Sequence, residues 1–486
     1  MCAEENYKII KEACKGTTCE EGGMSAGKLW QLKKKLRGII AEPPSAMLDG
    51  HGNLITSSHA IEELTVKMYE DRLKSLKIRE ELKMHKLQRE NVCDERLKKA
   101  QENITQDWTL ADLELVLIQL KNNKSRDPLG WANELFKPNC AGQDLKVAVL
   151  SMMNLIKRQQ TVPETIKQCN ITSIYKKKGS RKDFANYRGI FRVTILRSIL
   201  DKLIYNDEYT NIDEHLSDSN VGARRNRNIR DNIFVINAIL NNVRRKKLKG
   251  IDVTTYDAEK CFDKLFAKEC FNDMYDNGFI NDKLPLLFQE NVNAKVAVKV
   301  ASGITRPMTI SNVIMQGTVW ASLFCTATMD KLGKLLYSIP EMMYQYKGVP
   351  VPPLGMIDDV ITVTSVDQTS NMNKIVNTFM EHKNLKLSVT KCHRIHIGIG
   401  HEKCPKIKVH DELMKVSESA KYLGDIIHTD GTMQATIENR QKKGEGIIAE
   451  ILSIINEIPL GKHKTEVALK LREAMLLNGI LFNSEA

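Results

Sequence analysis

An adjacent pair of aspartates, Asp358-Asp359, lies inside a run of β-prone residues at 354–364. The run predicts a strand, a tight turn and a second strand, and two like charges in such a turn repel each other unless a divalent cation offsets them. Asp257 ends a second alternating run, 251–257, and lies 101 residues before Asp358. Three carboxylates at one edge of a sheet predict an oxygen-ligand site suited to Mg²⁺, although Asp-rich solvated turns would give the same pattern.

Groups that could hold a nucleotide occur on either side of Asp257. Lys176 follows a β-like run at 169–175, and Arg188 comes shortly after it. The arginine could bind a triphosphate with two hydrogen bonds, and the lysine could act as a point charge. Gln316-Gly317 separates a predicted strand from a predicted helix, where a glycine allows close approach of a base and a glutamine offers a donor and an acceptor. Each of these pairs is also typical of an ordinary turn.

Short strands mixed with helices must position these residues. Past Asp257, apolar residues at helical spacing predict a helix that stops at Asn277-Gly278. Beyond it, the pattern predicts strands over 294–315, a helix through Leu332, the aspartate hairpin, a helix at about 369–384, strands to about 427 and helix over about 432–481. Helices mixed with short strands around a central sheet indicate an α+β fold.

The first 105 residues are charged and predicted to be largely helical. Residues 72–99 are rich in Lys, Glu, Arg and Leu without Gly or Pro, which predicts an exposed helix. Thr109 and Asp112 begin the next helix with a capping-box pattern, and a further helix is predicted at about 144–159.

Positive charge is in excess and clustered. The 486 residues include 72 Lys plus Arg against 60 Asp plus Glu, a formal net charge of +12. The clusters lie at residues 33–37, 176–178, 224–227 and 244–249. Four such clusters favour binding to a polyanion, most commonly nucleic acid, over the alternative of solvated helix ends. The length predicts two or three domains or one elongated body.

Membrane and secreted proteins are disfavoured by the same sequence. No apolar run approaches the roughly 18 residues of a membrane span, and the first residues lack the apolar core of a secretion signal. The 11 cysteines show no zinc spacing and no even pairing pattern. We therefore predict an intracellular protein with reduced thiols, no disulfide and no structural zinc.

The order of the motifs resembles that of a known family. The chain carries, in order, residues 124–130 with Asn133-Glu134, Asn186-Tyr-Arg-Gly-Ile190, Gly222 with its arginines, Asp257-x4-Phe262-Asp263, Gln316-Gly317, Asp358-Asp359, residues 387–391 and Tyr422-Leu423-Gly424. These eight landmarks, over about residues 110–435, resemble those of a non-LTR (LINE-type) retrotransposon reverse transcriptase. The resemblance implies an RNA-directed DNA polymerase, a nucleotidyltransferase with a right-hand fold.

The resemblance also implies a division of the chain and a set of partners. A helical extension at 1–105 would precede fingers at 106–250, a palm at 251–410, and a primer grip with partial thumb at 411–486. The partners would be an RNA template, a DNA primer and dNTPs, without a membrane. Because the primer of such an element would be nicked chromosomal DNA, the site of action would be nuclear.

Each site residue receives an implied role from the resemblance. Asp257, Asp358 and Asp359 would hold two Mg²⁺ ions, with Mn²⁺ as an alternative, which activate the primer 3′-hydroxyl and stabilise the leaving pyrophosphate. The remaining roles are exclusion of a 2′-hydroxyl by Phe262, triphosphate contacts by Lys176 and Arg188, a place beside the template base for Gln316 and Gly317, a place near the active site for Lys391, and a primer-grip turn at Tyr422, Leu423 and Gly424.

Three positions depart from the family pattern. Residues 318–322 lack the prolines that usually follow Gln-Gly, which could loosen the start of the next helix. Met356 replaces the usual aromatic residue before the aspartates, and Ala223 stands where the family often has a Phe after Gly222. None of these changes removes a catalytic group.

No endonuclease domain is recognisable before residue 106 or after about residue 435, so the chain could be one piece of a longer polyprotein or a degraded copy. Two alternatives to an active polymerase stay open. One is a decayed remnant that still binds nucleic acid, and the other is a metal-dependent phosphoesterase that uses the same aspartates. The second is disfavoured because hydrolysis needs neither Phe262 nor Gln316-Gly317.

Overall fold

The computed structural model describes residues 44, 46–73, 80–246, 250–310, 314–398, 406–409, 412–456 and 462–481. The basic cluster at 33–37 and part of the cluster at 244–249 lie outside these residues. Within the described part of the chain, no helix is both long enough and apolar enough to cross a bilayer.

Helices and short strands are interspersed along the chain. The α-helices are α1 (Ser58–Leu73), α2 (Glu80–Glu102), α3 (Leu110–Gln119), α4 (Gln143–Gln159), α5 (Glu164–Lys167), α6 (Ile195–His215), α7 (Ile229–Lys246), α8 (Cys261–Lys264), α9 (Ala267–Asp276), α10 (Lys283–Asn291), α11 (Ala321–Tyr337), α12 (Thr369–His382), α13 (Gln434–Asn456), α14 (Lys462–Leu471) and α15 (Asn478–Ile480). The strands are β1 (Met47–Leu48), β2 (Leu54–Ile55), β3 (Cys169–Tyr175), β4 (Tyr187–Val193), β5 (Ile251–Tyr256), β6 (Ala294–Val300), β7 (Gly303–Ile304), β8 (Met308–Ile310), β9 (Gln345–Tyr346), β10 (Val349–Pro350), β11 (Leu354–Met356), β12 (Asp359–Ser365), β13 (His393–Ile397), β14 (Lys408–Val409), β15 (Glu412–Leu413), β16 (Lys415–Val416), β17 (Ser419–Tyr422) and β18 (Asp425–His428).

The central sheet has the order β11-β12-β5-β13-β16. β5 pairs antiparallel with both β12 and β13, and its register places Tyr256 opposite Val360. Because the two strands run antiparallel, the residue after Tyr256 and the residue before Val360 come to the same edge of the sheet. These residues are Asp257 and Asp359. The prediction that two strands deliver their carboxylates to one edge agrees with this register.

Both faces of β5 are covered, although its sequence alternates between apolar and polar residues. Ile251 and Val253 pack with α7 in an apolar layer, and all six residues of the strand are buried. On the other face, Asp252 accepts hydrogen bonds from Arg394 at 2.6 Å and from Thr369 at 2.5 Å. A buried carboxylate is tolerated because charged and hydroxyl donors pair with it.

A second sheet, β4-β3-β6-β7 with β8 beside β6, carries the predicted nucleotide-binding residues Lys176 and Arg188 near its end. Helix α1 covers one face of this sheet, and the Tyr69 ring packs against β4 at Gly189. A Cβ at Gly189 would lie 2.8 Å from that ring, which is too close for any larger residue without a shift. The extension is thus part of the same packed structure as this sheet.

Helix α2 agrees with the predicted helix at 72–99 over the described residues from Glu80 onward, and most of its described side chains are exposed, but one side of it packs against the rest of the protein. Cys93 and Ala100 are buried on α2. Arg89 pairs with Glu269 at 3.1 Å, and Arg96 pairs with Asp276 at 2.5 Å. The charged residues that indicated a solvated helix form these ion pairs with α9 instead.

Two further expectations change with the structure. The arginines of cluster 224–227 bind within the protein, since Arg224 pairs with Asp213 at 2.7 Å and Arg225 lies 4.3 Å from the Tyr209 ring centroid. The helix after Gln316-Gly317 begins firmly at Ala321 without prolines. Trp320 anchors this start, because it is fully buried and donates Nε1–H to the Asp201 carbonyl.

Candidate active site

The paired aspartates lie at the tip of the β11–β12 hairpin. Met356 pairs with Asp359, so Ile357 and Asp358 form a two-residue turn. Ile357 has a φ of +62°, a conformation that a β-branched residue rarely adopts. Such a backbone conformation is unfavourable in free energy and persists only where neighbouring contacts stabilise it.

Asn220 supplies those contacts. Its Nδ2 donates to the Ile357 carbonyl at 2.9 Å, and its Oδ1 accepts from the Ile357 N–H at 3.0 Å and the Gly222 N–H at 2.9 Å. A Cβ at Gly222 would lie 2.4 Å from the Ile357 nitrogen, so only glycine fits at this position without a shift of the turn. Gly222 was recognised only as a motif landmark and Asn220 was missed, because nothing local in the sequence links either residue to a turn more than 130 positions away.

Lys391 meets Asp257 at the same sheet edge. Its Nζ lies 2.8 Å from Asp257 Oδ1. The backbone helps to bring them together, since the Asp257 carbonyl accepts from the Ser388 N–H at 2.9 Å and the Ser388 carbonyl from the Lys391 N–H at 3.0 Å. The structure therefore places Lys391 against one of the three predicted carboxylates.

The three carboxylates interact electrostatically. Burial and the negative charges of Asp359 and Asp257 together raise the pKa of Asp358 to about 6, while Lys391 opposes the rise. Burial and the Asp257 charge also raise the pKa of Asp359. A group of like charges with raised pKa values is typical of a site whose task is to bind a cation or exchange a proton.

The donor set fits a hard divalent cation in its chemistry, because carboxylate oxygens are the ligands that such cations prefer. As the side chains stand, however, no group of three or more His, Cys, Asp and Glu residues in the described ranges could hold a metal ion. The Lys391 ammonium contacts Asp257 directly, so a bound cation would compete with it for this carboxylate.

A group of cations lies at the end of the second sheet. The Lys176 ammonium donates to the Ala185 carbonyl at 2.9 Å. Burial lowers the pKa of Lys176, and the positive charges of Arg72, Arg188 and Lys260 lower it further. Arg72 and Lys260 were not predicted. Several cations close enough to lower the pKa of Lys176 suit a polyphosphate.

The remaining predicted substrate-binding residues are Phe262, on a short helix, and Gln316 and Gly317, on a turn. Phe262 is half-buried on α8, directly after Lys260 and Cys261. The Gln316 carbonyl accepts from the Phe191 N–H at 2.8 Å. Gly317 has a φ of +114°, and a Cβ there would lie 2.9 Å from the Phe191 carbonyl oxygen. Gln316-Gly317 is therefore held against β4, the strand that carries Arg188.

The predicted primer-grip residues form the β17–β18 hairpin. Tyr422 pairs with Asp425 across it, and both turn residues, Leu423 and Gly424, have positive φ as in a type I′ turn. The Tyr422 hydroxyl donates to the Leu354 carbonyl at 2.7 Å. Leu354 begins the strand that leads to the aspartates, so this hairpin is attached to the central sheet beneath them.

Comparison with known proteins agrees with this arrangement. A family model described as reverse transcriptase (RNA-dependent DNA polymerase) matches residues 175–427, more than half of the chain. A structure of apo telomerase from Candida tropicalis, truncated from its C-terminal domain, is similar at 16% identity and a TM-score of 0.38, over 59% of this chain. The chain likewise spans 59% of that telomerase chain.

The family match runs from the end of β3 to β18, so it includes the central sheet, the aspartate hairpin and the Tyr422 hairpin. It confirms the predicted α+β, right-hand polymerase fold. The chain belongs to the reverse transcriptase (RNA-dependent DNA polymerase) family.

Proposed function

We propose that the protein is an RNA-directed DNA polymerase that adds dNTPs to a primer 3′-hydroxyl on an RNA template. The observation that carries this proposal is the convergence of Asp257, Asp358 and Asp359 at one sheet edge, where burial and neighbouring carboxylates raise the pKa values of Asp358 and Asp359. The motif order supports a non-LTR retroelement as its origin, and hence a nuclear site of action on nicked DNA.

Asp257, Asp358 and Asp359 would hold two Mg²⁺ ions, or Mn²⁺ in their place. When bound, such ions activate a hydroxyl nucleophile and stabilise the charge of the leaving pyrophosphate. Lys391 offsets part of the repulsion among the carboxylates, since its ammonium contacts Asp257. Asn220 holds the turn so that Asp358 and Asp359 keep a fixed orientation relative to the sheet.

The remaining residues would bind and orient the substrates. Lys176, Arg188 and Lys260 would hold the triphosphate, because the charges of Arg188 and Lys260 lie close enough to Lys176 to lower its pKa. Phe262 would exclude a 2′-hydroxyl by its bulk. Gln316 and Gly317 would lie along the template base, and the Tyr422 hairpin would guide the primer. In this proposal the second sheet belongs to the fingers and the central sheet to the palm.

A decayed remnant that binds nucleic acid without turnover is the second candidate. The observation in its favour is that Asp257 is paired with Lys391 and that the described residues contain no group able to hold a metal ion as it stands.

Primer extension separates the two functions. Purified protein is given an RNA template, a DNA primer, dNTPs and Mg²⁺, beside an Asp358→Asn/Asp359→Asn variant. Extension that disappears in the variant supports the polymerase. Salt-sensitive binding of the hybrid without extension by either protein would refute the enzymatic proposal and support the remnant.

A further inference from the structure

Helix α1 of the N-terminal extension connects the two regions that would hold the nucleotide. Near its end, Arg72 donates from Nε to Asp263 Oδ2 at 2.7 Å and from Nη1 to the Tyr187 carbonyl at 2.8 Å. One turn earlier, the Tyr69 hydroxyl lies 2.9 Å from Ser173 Oγ on β3. A single guanidinium therefore joins α8 of one region to β4 of the other.

Both partners of Arg72 are immediate neighbours of proposed nucleotide contacts. Asp263 follows Phe262, and Tyr187 precedes Arg188. The side chains of Arg72 and Asp263 are only 10% and 8% exposed, so water competes little with their hydrogen bond. The position of the Phe262 ring relative to the Arg188 guanidinium thus depends on a residue that lies outside both regions in sequence.

The ion pair between Arg72 and Asp263 also affects which lysines near the site can bind an anion. Burial lowers the pKa values of Lys176 and Lys264, and the negative charge of nearby Asp263 opposes this lowering at both. In the structure Asp263 is bound by Arg72. The Lys176 ammonium donates instead to the Ala185 carbonyl oxygen and has no carboxylate partner among the described residues.

We propose that Arg72 is a positioning residue for nucleotide selection: it fixes Phe262 relative to Arg188 and keeps Asp263 away from the phosphate-binding lysines. This inference rests on the proposed polymerase function and adds to it a specificity role for the N-terminal extension.

The test measures single-nucleotide extension by four proteins beside the wild type. Arg72→Lys keeps the charge but loses the planar two-sided contact, and Arg72→Met removes both. Arg72→Met/Asp263→Asn also removes the buried charge that Arg72→Met leaves unpaired. Arg306→Gln is the matched control, because Arg306 pairs with Glu63 and Glu70 on the same helix and is 51% exposed.

The measured quantities are kcat and KM for a dNTP and for the matching rNTP, together with the Kd of the template–primer hybrid. For Arg72→Lys and Arg72→Met, we expect the dNTP KM to rise about tenfold and the preference for dNTP over rNTP to fall about tenfold, with kcat changed less and Kd unchanged. The double variant has no Asp263 charge to compete for the lysines, so it should regain part of the dNTP KM but keep the lowered preference. Arg306→Gln should match the wild type.

Three results would overturn the inference. Unchanged KM and preference in the Arg72 variants would remove the positioning role. Full recovery of both the dNTP KM and the dNTP preference in the double variant would mean that Arg72 only neutralises Asp263 and does not position Phe262. A parallel loss of kcat, dNTP binding and hybrid binding, following the fraction of folded protein, would make the role purely structural. If the wild type itself extends no primer, the polymerase proposal has failed and the role of Arg72 fails with it.

Discussion

At the scale of single residues, two buried acids show how surroundings decide what a carboxyl group can do. Asp358 lies at a sheet edge beside two other carboxylates and Lys391, and its pKa is raised to about 6. Glu290 on α10 is fully enclosed, next to the Asp201–Arg197 ion pair. Burial and the Asp201 charge raise the pKa of Glu290 well above its ordinary value of 4.5. Asp358 can exchange its proton for a cation, whereas Glu290 keeps its proton inside the fold.

Glu290→Gln should therefore flatten the dependence of stability on pH. Because the folded-state pKa lies above the unfolded one, folded Glu290 keeps a proton that the unfolded chain releases above about pH 4.5, and stability falls as the pH rises from there. Glutamine has no such proton, so between pH 5 and pH 8 the variant should lose less of its free energy of unfolding than the wild type, by about 1.4 kcal/mol for each pH unit over which folded Glu290 keeps its proton. Urea unfolding across this range measures the difference.

Exposed Glu438, replaced by Gln, is the control and should follow the wild type. If the free energy of unfolding of Glu290→Gln changes with pH as steeply as that of the wild type, Glu290 is ionised in the folded protein. The inference that the folded protein keeps this carboxyl group protonated would then be wrong.

At the scale of elements, the aspartate hairpin depends on a segment from elsewhere in the chain. Residues 219–222 lie along β11, where the Val221 N–H donates to the Gly355 carbonyl at 3.0 Å and the Gly355 N–H to the Ser219 carbonyl at 2.7 Å. Asn220 extends this pairing to the turn itself. A two-residue turn with a β-branched residue at positive φ thus gains an external support, which fixes the orientation of its carboxylates.

Asn220→Ala should lower kcat with little change in the Kd of the template–primer hybrid. Loss of the three hydrogen bonds leaves Ile357 free to leave its positive φ, and misplaced carboxylates should reduce kcat by about 10²-fold. The free energy of unfolding should fall by about 1–3 kcal/mol, because buried backbone groups lose their partner. Single-turnover extension and urea unfolding measure the two effects.

Asn371→Ala, on the exposed surface of α12, is the control and should change neither quantity. A kcat equal to the wild type in Asn220→Ala would show that the hairpin keeps its geometry without this support.

At the scale of the whole molecule, the N-terminal extension and the catalytic region share one packed structure. Lys383 lies 2.7 Å from Asp273 Oδ2 and 3.3 Å from Glu269 Oε2, and Arg89 of α2 pairs with the same Glu269. Burial raises the pKa of Asp273, while the positive charges of Lys383 and Arg89 lower that of Glu269. These buried charges are compatible with the fold only when all partners are present.

Lys383→Met should accordingly destabilise the protein by about 3–5 kcal/mol, because Asp273 would stay buried without its cation. Lys268→Met is the matched control: Lys268 also joins α2 to α9, by pairing with Asp94, but half of the Asp94 side chain is exposed. Its loss should cost no more than about 1 kcal/mol. Urea denaturation measures the free energy of unfolding of both variants. Equal losses would show that burial of the Lys383 ion pairs does not make them more important for stability than an exposed pair.

Local patterns in the sequence predicted several strands and a helix start well. The runs at 169–175 and 294–300 match β3 and β6, and the capping box of Thr109 and Asp112 is present. Alternation and capping are local properties, so a sequence shows them directly. Asn220 and Arg72 were missed for the opposite reason, since their partners lie 137 and 191 residues away. The packing of α2 was missed because its charged residues bind distant ones instead of water.

The strand order of the central sheet has a consequence for folding during synthesis on the ribosome. β5 is made first, yet both of its neighbours, β12 and β13, come more than 100 residues later. At a synthesis rate of roughly 5–20 residues per second, Asp257 would wait on the order of 5–20 s before Asp358 is even joined to the chain. Throughout that interval both edges of a buried strand lack partners, so a nascent chain of this type is open to wrong pairing and to aggregation until β12 and β13 have been synthesised.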